Sequence, residues 1–112
     1  MTKMIFGAKR RPGMSRADFG RYWTTVHAEK AKRVPGIVRY VINLAPDLAG
    51  TDPELPYDGI AEVWFRSEAD LRASARSPEV ALVLEDEKNL FDLATRFTLV
   101  VSEHVMVAEP RL

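Results

Sequence analysis

A strand that runs directly into a capped helix dominates the first third of the chain. The predicted strand, Thr2–Lys9, alternates in side-chain character, and the Arg11–Pro12–Gly13 segment supplies a turn. Ser15 and Asp18 have the spacing of a capping box, in which side chains satisfy free amides of the first helical turn. A helix over Arg16–Lys32 follows, and its apolar residues recur on one face. This segment is therefore expected to lie against a sheet.

The remaining segments show the same two patterns, alternation in the strands and apolar residues on one face of the helices. A long loop over residues 45–56, with three prolines and a glycine, separates the second strand from the third. The second helix is broken in two, because Ser77 and Pro78 restart it as a cap and a first helical residue. The predicted strands are Ile37–Leu44, Tyr57–Phe65 and Phe97–Val107, and the two helical pieces run from Ser67 to about Ala75 and from Pro78 to about Ala94.

This β-α-β-β-α-β order predicts an α+β, ferredoxin-like fold with an antiparallel four-stranded sheet and both helices on one face. Residues 1–107 are expected to form one domain, with residues 108–112 as a loose tail. The face without helices must meet water or a partner. Since Ile60 and Trp64 make that face apolar, we expect two copies to pack together as a homodimer and to enclose a cavity.

The composition excludes several classes of function. The chain of 112 residues contains no cysteine, which removes disulfides, thiolate metal sites and cysteine nucleophiles. A formal net charge of zero argues against broad binding to nucleic acid. No apolar run approaches the length of a membrane span, and the N-terminus lacks a signal-peptide core, so a cytoplasmic location without membrane association is expected.

Several segments together resemble the EthD-like family of dimeric α/β barrels. They are KRRPGMSRADFGRYWTTVHA, PGIVRYVIN, PYDGIAEVWFRSEADLRA and FTLVVSEHV, and the most distinctive parts are the W-x-x-x-H of Trp23 and His27 and the E-x-W-F of Glu62 to Phe65. The family is named from a protein linked to ethyl tert-butyl ether degradation. Related barrels include polyketide cyclases, cofactor-free oxygenases and a muconolactone isomerase. The resemblance implies a small apolar ligand in each barrel, with histidines or carboxylates that move protons.

His27 is the first catalytic candidate. It follows Trp23 by one turn and lies near the C-terminal end of the first helix, where the helix dipole favours a charged imidazole. If the side chain reaches the barrel, it can act as a general acid or base. The alternative is a structural histidine that is bonded to a nearby carbonyl.

Two acids and a second histidine complete the predicted catalytic set. Glu62 and Asp58 share the mixed face of the third strand with Trp64, and a carboxylate inside a barrel must be paired or protonated. His104 is assigned to the barrel, because Leu99 and Val101 form the more apolar side of the fourth strand and are expected to face the helices. For all three, a structural ion pair or hydrogen bond at the dimer interface is the alternative.

The predicted substrate-binding residues are Asn43, Trp64 and Phe91, with the two aromatic residues as apolar walls. Asn43 is preferred to Tyr40, which lies on the opposite face of the second strand. Glu87 occupies an apolar position of the last helix, which predicts a structural ion pair with a lysine or arginine of the first helix.

No metal-binding spacing and no phosphate-binding loop occur in the sequence, so neither a metal nor another cofactor is expected. The predicted function is a cofactor-independent enzyme of the isomerase, cyclase or monooxygenase (oxidoreductase) type, which acts by proton transfer on a small apolar organic molecule. One alternative is a non-catalytic ligand-binding or accessory protein of a degradation operon. A further alternative is a haem-handling monooxygenase, with His27 or His104 as the ligand.

Overall fold

The computed structural model describes residues 1–46, 55–108 and 110. Most of the predicted loop over residues 45–56 and part of the predicted tail over residues 108–112 lie outside the described residues.

The sheet confirms the ferredoxin-like α+β prediction. Its strands are β1 (Thr2–Ala8), β2 (Ile37–Leu44), β3 (Gly59–Phe65) and β4 (Phe97–Val101), in the order β2-β3-β1-β4, and all neighbouring strands are antiparallel. The predicted fourth strand was too long. Lys3 lies opposite Val101 and β1 begins at Thr2, so almost no partner backbone remains for residues beyond Val101.

The helices begin where the serine caps predict. Ser15, Ser67 and Ser77 each accept a hydrogen bond from the backbone N–H three residues later, at 3.1, 3.1 and 3.2 Å. The break in the second helix is also confirmed. The helical segments are α1 (Arg16–Tyr22), a π-helical turn (Trp23–His27), α2 (Ala28–Ala31), α3 (Glu68–Ala75) and α4 (Pro78–Asp86), followed by short 3₁₀ turns at Glu87–Asn89 and Leu93–Thr95.

The core is an aromatic cluster between the sheet and the first helix. Trp23 is fully buried, and its ring centroid lies 5.4 Å from that of Phe19 and 5.0 Å from that of Phe91, both in edge-to-face geometry. Phe6 and Phe65 cover the sheet side of this cluster. These contacts fix the position of the helix that carries His27.

The two sides of β4 are oriented opposite to the prediction from the sequence. Leu99 lies opposite Ile5 of β1, on the face without helices, whereas Thr98 lies opposite the core residue Phe6. The prediction assumed that the more apolar side of β4 faces the helices, and it was wrong. β4 is an edge strand whose helix side is only partly covered, so Val100 remains 54% exposed there and that side has no need to be apolar.

Gly59 leaves space for the indole ring of Trp23. A Cβ at this position would overlap Cζ3 of Trp23 and lie 3.2 Å from Cε2 of Phe19, both of which are buried. We therefore expect Gly59→Ala to lower the free energy of unfolding by about 1–3 kcal/mol, measured by urea denaturation. Gly20→Ala is the matched control, since within the described part of the chain its Cβ meets only a terminal methyl of Leu44, and alanine favours the helix. Equal stability of the two variants would contradict the packing argument.

Candidate functional site

The π-helical turn of Trp23–His27 carries two buried side chains, Trp23 and His27. A regular helix would place Val26 on the buried face, yet Val26 is 47% exposed and His27 is 0% exposed. Within this wider turn, Trp23 and His27, which are four residues apart, both face the interior, and Val26 is turned outward. The hydroxyls of Thr24 and Thr25 donate to the carbonyls of Gly20 and Arg21 and thereby compete for the helical acceptors.

His27 forms a buried dyad with Asp86, the last residue of α4. Nδ1 of His27 lies 2.8 Å from Oδ2 of Asp86, and neither side chain is more than 1% exposed. Because an ionised carboxylate only accepts hydrogen bonds, Nδ1 must carry the proton. Nε2 of His27 is buried and has no hydrogen-bond partner within the described part of the chain. In the tautomer of a neutral imidazole that carries its proton on Nδ1, the lone pair lies on Nε2.

Three further donors surround the other oxygen of Asp86. Oδ1 accepts hydrogen bonds from the Tyr22 hydroxyl at 2.6 Å, from Lys30 Nζ at 3.1 Å and from Asn89 Nδ2 at 3.1 Å. Burial by itself raises the pKa of Asp86, but the hydrogen bonds from Tyr22, His27, Asn89 and Lys30 together hold it well below its ordinary value. Asp86 therefore stays ionised and holds the orientation of the His27 ring.

A cavity of about 350 Å³ lies between the sheet and the helices, next to this dyad. Its walls are mainly apolar and include Met4, Val34, Val63, Val83 and Leu84. His27 is not among the lining side chains. Ala31, one turn after His27, and Glu87, which follows Asp86, do line the cavity.

The polar groups of the cavity include Glu87, Arg96 and Thr98. Glu87 is buried and accepts two hydrogen bonds from the Arg96 guanidinium, at 2.6 and 3.1 Å. Arg96 also donates to the Thr98 hydroxyl at 2.6 Å. The predicted ion pair of Glu87 exists, but its partner is Arg96 rather than a residue of the first helix. It is the neighbouring Asp86 that reaches the first helix.

Tyr40 lines the same cavity and contacts the first helix. Its hydroxyl oxygen accepts a hydrogen bond from Nε1 of Trp23 at 3.0 Å. Burial, together with the nearby negative charge of Glu87, raises the pKa of Tyr40 to about 12 in spite of this hydrogen bond, so the phenol stays protonated into the alkaline range.

Glu62 lies on the opposite face of the sheet from His27, because alternate side chains of β3 point to opposite faces. Its carboxylate is 2.5 Å from Lys3 Nζ and accepts a hydrogen bond from Asn43 at 3.0 Å. The hydrogen bonds from Lys3 and Asn43 hold the pKa of Glu62 below its ordinary value. Within one protomer, the structure does not bring His27 and Glu62 into one site.

The same face carries Trp64, which is less exposed than the sequence suggests. Lys3 Nζ and the Arg39 guanidinium each lie 4.7 Å from its ring centroid, and the side chain is only 8% exposed. Asn43, Glu62 and Trp64 therefore form one group on this face. Phe91 belongs to the other face, where its ring centroid lies 6.3 Å from that of His27.

The two remaining candidates lie apart from both groups. Asp58 is buried and accepts hydrogen bonds from the backbone and side chain of Arg10 and from Arg16, which ties the end of β1 to the start of α1. His104 lies beyond the end of β4 and is exposed, with Nε2 3.5 Å from the Ser102 hydroxyl. Neither side chain lines the cavity.

Sequence analysis missed Asp86, Tyr40 and Arg96. The W-x-x-x-H spacing identified His27, but nothing local marks Asp86 as its partner, since 59 residues separate them. A usable signal for Tyr40 was the apolar face of β2, which it shares with Ile42.

The described residues contain neither a cluster suited to a metal ion nor a helix suited to span a membrane. No group of three or more histidine, aspartate or glutamate side chains among them is placed to hold a metal ion. Among those same residues, no helix is long and apolar enough to cross a membrane.

The fold is similar to those of several crystal structures. An ethyl tert-butyl ether d (EthD) family protein from Bacillus halodurans matches with a TM-score of 0.72 and 15% identity over 93% of this chain and 100% of that one. A dimeric ferredoxin-like protein of unknown function from Thermobifida fusca matches with a TM-score of 0.68 and 16% identity over 91% of this chain and 90% of that one. SnoaB, a cofactor-independent oxygenase from Streptomyces nogalater, matches with a TM-score of 0.67 and 12% identity over 96% of this chain and 97% of that one.

At these identities the structural similarity shows the fold alone. A search among curated proteins found no significant match. The EthD domain model matches residues 11–94, which is more than half of the chain and includes His27, Tyr40 and Asp86. This protein belongs to the EthD family.

Proposed function

We propose that this protein is a cofactor-independent enzyme that moves a proton on a small, largely apolar organic molecule. The observation that carries the proposal is the buried His27, whose Nδ1 is held by Asp86 and whose Nε2 has no partner among the described residues. A carboxylate that fixes the tautomer in this way leaves Nε2 as the proton acceptor. Asp86 takes the role that sequence analysis gave to Glu62.

The cavity next to the dyad is the substrate site in this proposal. Its volume lies within the range of small-molecule sites, and its walls suit a hydrocarbon ring or chain. Isomerisation, cyclisation and cofactor-free oxygenation can all begin with removal of a proton from the substrate. The description of SnoaB as a cofactor-independent oxygenase supports this class of chemistry.

Proton exchange on a ketone tests the proposal without knowledge of the natural substrate. β-Tetralone is a compact apolar ketone with acidic C–H groups beside the carbonyl. Abstraction by Nε2 breaks one C–H bond, leaves its electron pair in an enolate, and is followed by return of a deuteron from D₂O. We expect the protein to accelerate deuterium uptake, measured by proton NMR, relative to buffer and to heat-denatured protein. Saturable binding without acceleration would contradict the enzymatic proposal.

A non-catalytic ligand-binding or accessory protein is the second candidate. It is favoured by the observation that His27 does not itself line the cavity. This function predicts that bound β-tetralone protects the amides of cavity residues from hydrogen exchange, as measured by NMR. Deuterium exchange into β-tetralone itself would proceed at the same rate as in buffer alone.

We also propose a homodimer that forms through the face without helices. Leu99 of β4 is 57% exposed there, next to the partly exposed Ile5, and dimeric proteins of this fold are known. Leu99→Lys would place a charge on this surface without disturbing the core of the protomer. We expect the wild-type chain to sediment as a dimer at micromolar concentration and the Leu99→Lys variant as a monomer with unchanged circular dichroism. A monomeric wild-type chain would refute the dimer.

A further inference from the structure

No described residue accepts a hydrogen bond from the Tyr40 hydroxyl. The indole N–H of Trp23 can only donate, so the oxygen of Tyr40 must be the acceptor of the 3.0 Å hydrogen bond between them. The phenolic O–H is then free to donate, and no acceptor for it is found within the described part of the chain. Because Tyr40 lines the cavity, a bound molecule can supply that acceptor.

Glu87, Arg96 and Thr98, three other polar residues of the cavity, are engaged with each other. The hydroxyl of Ser74, which also lines the cavity, donates to the Leu71 carbonyl at 2.8 Å. Both carboxylate oxygens of Glu87 accept from Arg96, and a further nitrogen of Arg96 donates to Thr98. The positive charge of Arg96 is therefore compensated within the cavity wall. Such a lining favours a neutral oxygen group over a carboxylate, since an added anion would meet Glu87 as well as Arg96.

We propose that Tyr40 binds the substrate by donating its O–H to a carbonyl oxygen, and that the substrate class is apolar ketones rather than carboxylic acids. The inference rests on the proposed use of this cavity as the ligand site. Trp23 positions the hydroxyl, which explains why the motif residue one turn before His27 is a tryptophan with a hydrogen-bonding nitrogen. A tyrosine hydroxyl is protonated at neutral pH even at its ordinary pKa of about 10, so Tyr40 carries the proton that it donates.

This arrangement also links Tyr40 to the proposed chemistry. When His27 removes a proton beside the carbonyl, negative charge develops on the carbonyl oxygen. A hydrogen bond to a charged oxygen is stronger than one to a neutral oxygen, so the donor stabilises the enolate more than the ketone.

Binding of a matched ligand pair tests the inference. β-Tetralone and tetralin differ mainly in the carbonyl group, and Tyr40→Phe removes the O–H and keeps the ring. By calorimetric titration, we expect Tyr40→Phe to weaken binding of β-tetralone about fivefold and to leave binding of tetralin unchanged. We also expect the infrared carbonyl band of bound β-tetralone to shift to higher frequency in the variant. Unchanged tetralin affinity shows that the cavity of the variant is intact.

Other outcomes separate this inference from the proposed function. Equal weakening of both ligands, or tighter binding of tetralin carboxylate than of β-tetralone, would overturn the role of Tyr40 and leave the cavity as a binding site. Failure of the wild-type protein to bind either probe would overturn the cavity itself as the ligand site and this inference with it.

Discussion

Replacing His27 by glutamine is expected to slow deuterium exchange into β-tetralone by about 100-fold, because a positioned general base typically contributes a factor of this order or more. Glutamine is similar in size and can still donate to Asp86, but its amide cannot accept a proton. The affinity for β-tetralone is expected to change little, since His27 does not line the cavity in this structure. The proposed proton transfer therefore requires the His27 ring to move towards the bound ligand. Exchange rates and affinities of the two proteins, measured side by side, check both expectations.

His104→Gln is the matched control for this experiment. It removes the other histidine of the chain, which is exposed beyond the end of β4. Its exchange rate is expected to equal that of the wild type. If His27→Gln loses stability but keeps its exchange rate, the dyad is structural and the ligand-binding candidate gains support. If His104→Gln is the slow variant, the assignment of the base to His27 is wrong.

Replacing Asp86 by asparagine is expected to lower the free energy of unfolding by about 3–5 kcal/mol at pH 7, the usual cost of breaking a buried ionic network. The carboxylate receives hydrogen bonds from His27, Tyr22, Lys30 and Asn89. An asparagine can accept through only one oxygen, and its amide group would face donors. Urea denaturation monitored by tryptophan fluorescence measures the difference.

The difference in stability between the wild type and Asp86→Asn should become smaller as the pH falls. The folded-state pKa of Asp86 lies below its unfolded value of about 3.9, so the folded state favours the ionised form. This stabilisation is fully present above pH 5 and is lost as the pH falls towards the folded pKa. The gap between wild type and Asp86→Asn should therefore shrink steadily between about pH 5 and pH 2.

Glu85→Gln is the control for the Asp86 variant. Glu85 is the preceding residue, but its side chain is 68% exposed and, among the described residues, pairs with the exposed Lys88 alone. Glu85→Gln is expected to have the same stability as the wild type between about pH 5 and pH 2. A gap between wild type and Asp86→Asn that stays constant across this range would show that the carboxylate contributes by shape rather than by charge.

The candidate site shows where sequence reasoning ends. Trp23 and His27 were identified from their spacing on one helix, and that spacing is a local property. Asp86 was missed because it became a partner only when the end of α4 packed against the first helix. Glu62 was chosen instead because it is an acid on the mixed face of a strand, but that face lies on the other side of the sheet.

The second face of the sheet gives a similar lesson. From the sequence, Trp64 was expected to make the face without helices apolar and to be covered by a second copy, since alternation showed only which side of the strand it occupies. In the folded chain, Lys3 comes from β1 and Arg39 from β2, and both cover the indole ring. The face is consequently more polar at its centre than the sequence suggests, and its exposed apolar surface lies nearer the edge strand, at Leu99.

The amino-acid sequence by itself determined the element order, the serine caps, the break in the second helix and the family, because each depends on residues that are neighbours in the chain. The tertiary structure decided which acid meets His27, which way β4 faces and where the cavity lies. The π-helical turn belongs with these, because it forms where Trp23 and His27 pack into the core. Such features depend on contacts between residues far apart in sequence, and a local pattern of apolar and polar residues does not specify them.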